Sequence, residues 1–198
     1  MPRPKSYDRQ KAVEKACAAF WQHGFQALGV RELEQITGIN QFAIRSEFGG
    51  KEGLLLEALT YYGEAAITNE MAPMKEGGIP EIIAFLGGLV APGSMTSSPF
   101  GCLMVNTGVE NARIQSLALD KATTTYWSEL KDHFLQALEN EQRTREDRMP
   151  IPSDHLANAL VSAVMGIHVQ NRLQQDQTAG HALVDLMCDM LAELEAST

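Results

Sequence analysis

The stretch Asn40-Gln41-Phe42-Ala43-Ile44-Arg45-Ser46 gathers two carboxamides, an aromatic ring, a guanidinium and a hydroxyl within two turns of chain. These groups recognise rather than react. A guanidinium forks onto guanine or clamps a phosphate, a carboxamide suits adenine or a phosphate, and a phenyl ring meets a thymine methyl. On one short helix they form a rod that fits the major groove of double-stranded DNA.

Such a rod needs elements to hold it, and the flanking sequence supplies them. Gly38 offers the left-handed turn that joins two short helices, and Asn40 is a good N-cap for the second. Phe42 or Ala43, with Ile44 and Phe48, gives that helix an inward face, and Gly49-Gly50 ends it. Glu47 is expected to face solvent or pair with a basic residue. Upstream, Val30, Leu33 and Ile36 mark the preceding helix, and Val13, Ala16, Cys17, Phe20 and Trp21 recur at helical spacing before Gly24. Downstream, Lys51 opens a helix expected to run to about Met71. Its N-terminal amides and its ammonium both favour a phosphate.

Helical periodicity continues to the end of the chain. Met71 to Pro80 reads as a linker, and Ile82, Ile83, Phe85, Leu86 and Leu89 as an apolar helix. After the Pro-, Gly- and Ser-rich stretch Ala91 to Gly101, helices are expected near 102–111, 114–143, 153–174 and 178–195. A second charged linker, Arg143 to Pro152, divides the last two from the rest. No strand alternation of useful length occurs. The fold class is therefore all-α: a three-helix helix-turn-helix domain over residues 1–50, then a helical effector-binding and dimerisation domain over residues 51–198.

Composition bounds the function. With 44% hydrophobic and 21% charged residues, the 198-residue chain can bury a core. No apolar run reaches the roughly 18 residues of a membrane span, and the N-terminus lacks the apolar region of a secretory signal. Cys17, Cys102 and Cys188 are odd in number and far apart, which fits a reducing cytoplasm rather than a disulfide framework or a zinc site. The net charge of −9 argues against a protein that coats nucleic acid throughout. Up to Tyr62, however, eight basic residues offset seven acidic ones, so the acidity lies beyond. Positive charge gathers before Val13, where Arg3, Lys5 and Arg9 could lie along phosphates.

The first four helices, roughly Arg9 to Tyr62, resemble the N-terminal domain of the TetR family of transcriptional regulators. The resemblance rests on Ala18-Ala19-Phe20-Trp21-Gln22-His23-Gly24-Phe25, Val30-Arg31-Glu32-Leu33, Gly38-Ile39-Asn40, Phe48 and Lys51-Glu52-Gly53-Leu54-Leu55. It implies a dimer that binds palindromic operator DNA, usually as a repressor. DNA contacts are then expected from Arg9, Arg31, Asn40, Gln41, Phe42, Arg45, Ser46 and Lys51. Three positions depart from the family pattern. Arg45 stands where tyrosine is usual, Gly29 where serine or threonine opens the second helix, and Glu34 where alanine often sits. They put the usual phosphate contacts in question.

The resemblance also implies a C-terminal domain that pairs subunits and senses a signal. The helices near 153–174 and 178–195 carry apolar stripes that suit a four-helix bundle with their symmetry copies. Phe85, Leu89, Met104, Trp127, Phe134 and Met165 are candidate walls for a small apolar effector, with His168 or Asn171 as polar contacts; each such residue is more often core than ligand contact. In Ser97-Ser98-Pro99-Phe100-Gly101-Cys102, Ser98 is a candidate cap with Pro99 at the first helical position. Cys102 would then sit in the first turns, where a helix dipole favours thiolate. The Gly-Cys-Leu/Val pattern resembles a TetR subgroup that senses electrophiles or oxidants through cysteine. The alternative is a small buried apolar residue.

Catalysis finds no support. The five histidines are scattered, and no P-loop, dinucleotide fingerprint, nucleophile elbow or metal-ligand spacing is present. No cofactor is implied. The competing class is a helical scaffold that binds protein partners without DNA.

Overall fold

The computed structural model describes residues 7–94, 96–145, 147 and 149–196. Among them there are α-helices and no strand. They are α1 (Arg9–His23), α2 (Val30–Thr37), α3 (Gln41–Glu47), α4 (Lys51–Ala66), α5 (Ile79–Gly88), α6 (Leu103–Ile114), α7 (Leu117–Thr144), α8 (Ser153–Gln174) and α9 (His181–Ala196). The basic arm expected around Arg3 and Lys5 lies outside the described residues.

Local chemistry sets most boundaries. Asp8, Asn40 and Ser116 cap α1, α3 and α7 by accepting the backbone N–H of Lys11, Ala43 and Leu119. Gly38 closes α2 in the left-handed region, at φ +77°. At Gly29 no side chain can cap α2, and Glu32 instead accepts the Gly29 N–H at 2.7 Å. Asn111 bonds both the N–H and the carbonyl of Ser116, bracing a turn in which Gln115 takes φ +58°.

α1, α2 and α3 close around Phe20, Leu33, Ile39, Ile44 and Phe48, all buried. α1 also packs along α4, which continues into the body beside α7. The body layers α5 with α9 and α6 with α7 and α8. The buried apolar residues of head and body form one continuous core. Large-to-small changes at sites such as Leu33 or Phe20 would cost roughly 2–5 kcal/mol.

Two expectations need correction. The stretch after Met71 is not a free linker. The chain stays helical through a π-turn (Ile67–Met71) and a 3₁₀ turn (Ala72–Lys75), because Met71 and Met74 are buried in the core. Nor does Ser98 cap α6, which starts at Leu103. Ser98 to Gly101 form a tight turn closed by a Gly101 N–H to Ser98 carbonyl bond, and Ser98 Oγ accepts the N–H of Phe100. Gly101 lies at φ +68°, and a Cβ there would stand 2.4 Å from the His168 carbonyl oxygen. Helix cannot pass through that position, so Cys102 becomes the N-cap residue.

Candidate nucleic-acid interface

α3 has two faces. Ala43 and Ile44 are buried, and Phe48 seals the end of the helix. Gln41, Phe42, Arg45 and Ser46 are exposed, with Phe42 at 80% of its full accessible area. This excludes the inward role weighed for Phe42. The Phe42 ring thus stands in solvent while Ala43 and Ile44 face the core. Gln41, Phe42 and Arg45 border a groove of about 580 Å³ whose other wall is Val30, Gly49, Gly50 and Lys51. Arg31, on the first turn of α2, is exposed as well. Asn40 serves the fold: its Oδ1 takes the Ala43 N–H at 2.8 Å.

Two expected contacts are drawn inward instead. Lys51 Nζ donates to the carbonyls of Phe25 (2.7 Å) and Leu28 (2.8 Å) and sits 4.2 Å from the centre of the Phe25 ring. Desolvation lowers its pKa, although Glu110 and Glu32 oppose that shift. Lys51 therefore staples the start of α4 to the α1–α2 loop. Arg9 pairs with Glu57 and, at 3.7 Å, with Glu47, and its guanidinium lies 4.1 Å from the centre of the Phe48 ring. Glu47 also accepts from Tyr7 at 2.9 Å. These pairs hold α3 against α1 and leave less cation for phosphates than the sequence suggested.

The family model for bacterial regulatory proteins of the tetR type matches residues 12–58, the segment that builds this surface. Over that segment the chain is similar to the TetR family. It is 31% identical over 107 residues to the HTH-type transcriptional repressor ComR of Escherichia coli K12, covering 52% of this chain and 51% of ComR. The aligned stretch thus spans about half the length of that relative. A TetR-family regulator from Cytophaga hutchinsonii superposes with a TM-score of 0.77 at 16% identity, over 93% of each chain. A cysteine mutant of the TetR-family regulator CifR, complexed with 26 bp double-strand operator DNA, superposes with a TM-score of 0.76 at 19% identity, over 94% of this chain and 98% of that one. At such identities the likeness is one of fold.

The TetR-type head is tied to the body by directed polar contacts. Glu110 on α6 accepts the backbone N–H of Phe25 (2.8 Å) and Gln26 (3.1 Å). Arg172 on α8 donates to the carbonyls of Trp21 and Phe100, each at 3.0 Å, and Trp21 Nε1 donates to the Gly101 carbonyl at 2.9 Å. Ser116 Oγ donates to Glu52 at 2.8 Å. None of these was foreseen from the sequence, since ordinary surface residues carry them at long sequence separations.

In the body, the expected effector wall does not assemble. Phe85 and Phe134 are buried edge-to-face in the core, centroids 5.6 Å apart, and Leu89 is fully buried. Asn171 braces the α8–α9 turn, accepting the Gly180 N–H and donating to the Gln177 carbonyl. His168 is sealed in, and desolvation pushes its pKa down to about 4. Met165 and Trp127 are partly buried against the core, Trp127 edge-on to Tyr126 at 5.0 Å. Met104 alone of this set borders an open apolar cleft, about 430 Å³ between α4 and α7. Leu56, Leu59, Ile67, Ala122 and Tyr126 form its walls, with Lys121 and Glu129 also lining it.

Cys102 is fully buried. Burial raises its pKa, outweighing the Tyr62 hydroxyl that donates to Sγ at 3.3 Å and the Val105 and Met104 amides at the start of α6. The dipole argument for a thiolate fails because the helix start is inside the protein. Among the described residues, no group of three or more His, Cys, Asp or Glu could hold a metal, and no helix is long and apolar enough to cross a membrane.

Proposed function

We propose that this chain is a homodimeric, sequence-specific DNA-binding transcriptional regulator, a repressor released from its operator by a small apolar effector. The observation that carries this reading is the exposed Gln41–Phe42–Arg45–Ser46 face on a helix whose opposite face is locked into the core. Base-reading side chains are held on a rigid scaffold and left without internal use, Gln41 excepted.

Pairing of subunits is supported by a second face. Along α8, Ala159, Ser162, Gly166, Val169 and Leu173 are exposed on the side opposite the buried Leu160, Val164 and Ile167. Leu173 is 79% exposed, and Leu186 on α9 is 60% exposed. Such a stripe suits a two-fold four-helix bundle. Two heads would then read half-sites about one helical turn apart on a palindrome.

Release follows from the ties between head and body. An effector entering the α4–α7 cleft touches the helix that carries the head and reaches Met104 on α6, whose Glu110 holds the α1–α2 loop. A ligand that fits only one arrangement of α4 and α6 shifts the spacing of the heads and lowers operator affinity. Modification of Cys102 as the release signal has less support, because the thiol is sealed and its pKa raised.

The test is selection of genomic fragments with the purified protein, then gel-shift titration at fixed salt. Arg45→Ala is expected to weaken binding by about 1–3 kcal/mol, unevenly across sequences if Arg45 reads a base. Unchanged binding removes Arg45 from the interface, and no selected palindrome overturns the function.

A further inference from the structure

The carboxamide of Gln41 is already engaged. Its Nε2 donates to Glu34 Oε2 at 2.7 Å, across the turn between α2 and α3, and the pair is exposed to solvent. A carboxylate only accepts hydrogen bonds. The pairing therefore decides which way the amide faces, with NH₂ toward α2 and Oε1 turned from it. The backbone beneath is fixed at both ends. Asn40 caps α3 beside Gln41, and the Glu34 carbonyl accepts the Gly38 N–H at 2.9 Å.

Glu34 is an unexpected charge to find next to a reading helix. Facing a polyanion, a carboxylate raises the cost of every nearby phosphate contact. In the major groove, however, the bases offer donors as well as acceptors: the N6 amino group of adenine and the N4 amino group of cytosine. Guanine and thymine present keto oxygens instead, whose lone pairs would meet the carboxylate head-on.

Given the DNA-binding reading above, we infer that Glu34 and Gln41 form an acceptor pair that selects a base with an exocyclic amino group, adenine or cytosine, on the strand they face. Glu34 is the positioning residue and Gln41 Oε1 the reading atom, with the spare carboxylate lone pairs reinforcing it. Arg45 lies four residues further along the same exposed face and offers donors alone. It matches the O6 and N7 of guanine. Each half-site should thus juxtapose an amino-bearing base with a guanine.

The experiment enriches randomised duplexes with the full-length wild type, Glu34→Ala, Glu34→Gln and Gln41→Ala. Wild type is expected to show one position per half-site where A or C exceeds G and T by about tenfold. Glu34→Ala and Gln41→Ala should each reduce that preference to about twofold or less while the guanine preference set by Arg45 persists. Glu34→Gln, whose amide oxygen can still accept from Gln41, should keep most of it. Replacing the selected adenine or cytosine by its analogue lacking the amino group should cost wild type about tenfold and Glu34→Ala about twofold or less. A keto-preferring motif, an unchanged motif in Glu34→Ala, or an even loss at every position overturns the acceptor pair while leaving DNA binding intact. Failure of wild type to enrich any duplex overturns DNA binding itself, and the acceptor pair with it.

Discussion

α3 and α6 both begin after a turn that places a polar or polarisable residue at the N-cap, Asn40 in one and Cys102 in the other. Their surroundings are opposite. α3 leaves Gln41, Phe42, Arg45 and Ser46 in solvent, whereas Leu103 to Thr107 at the start of α6 are all buried. The difference separates two jobs. A helix that reads another macromolecule must keep its chemistry outside. α6 is held inside at its start, where the Tyr62 hydroxyl meets Cys102, and tied further along by the Glu110 clasp on the α1–α2 loop. The same helix-start physics gives an available recognition set in the first case and a suppressed thiol in the second.

The largest expected effect tests how closed the α6 end is. In the folded protein, Cys102 should react with a maleimide only through opening of the structure, about a thousandfold more slowly than a free thiol. Cys188, which is only partly buried, should label first. Mass spectrometry of the labelled positions over time measures both. Rapid labelling of Cys102, with release of DNA that Cys102→Ser prevents, would restore the cysteine switch and erase the contrast with α3.

His168 probes the same interior through protons. Its folded pKa of about 4 lies below the usual 6.5 of the unfolded chain. Between those values the unfolded state binds a proton that the folded state refuses, so stability is full above about pH 6.5 and falls as the pH drops toward 4. The loss at pH 4 from this group is about 3 kcal/mol. Urea titrations at pH 7 and pH 4.5 should show His168→Gln losing less stability on acidification than wild type, whatever its stability at pH 7. Parallel losses in the two proteins would mean that His168 is solvated.

The comparison also explains what the sequence could and could not disclose. The head was legible because its signals are local: glycine at Gly38, the Asn40 cap, and apolar residues at helical spacing fix α1 to α3 within a residue or two. The face of α3 followed from that periodicity, with only Phe42 left open. In the body, Phe85, Leu89 and Phe134 have the same residue types whether they line a ligand or fill a core, and periodicity does not distinguish the two. Met71 and Met74 hid a packed segment behind two prolines and two glycines. Lys51 and Arg9 are a third kind of miss. Their charge was readable, but their partners, the Phe25 and Leu28 carbonyls and the Glu47 and Glu57 carboxylates, lie up to 48 residues away.

That last miss gives the finest test of the head, because Lys51 and Arg31 carry the same charge in different settings. Arg31 is exposed, and Lys51 Nζ is spent on two carbonyls and a ring. Each phosphate neutralised adds about 0.9 to the slope of log affinity against log salt. Arg31→Ala should therefore reduce that slope by about one, with little change in thermal stability. Lys51→Met should leave the slope unchanged but strand two carbonyls, costing about 1–3 kcal/mol and lowering the melting temperature. Gel-shift titrations across a salt series and thermal unfolding of both variants separate the outcomes. If Lys51→Met lowers the slope as much as Arg31→Ala, the ammonium swings outward when DNA arrives, and the staple seen here belongs to the free protein alone.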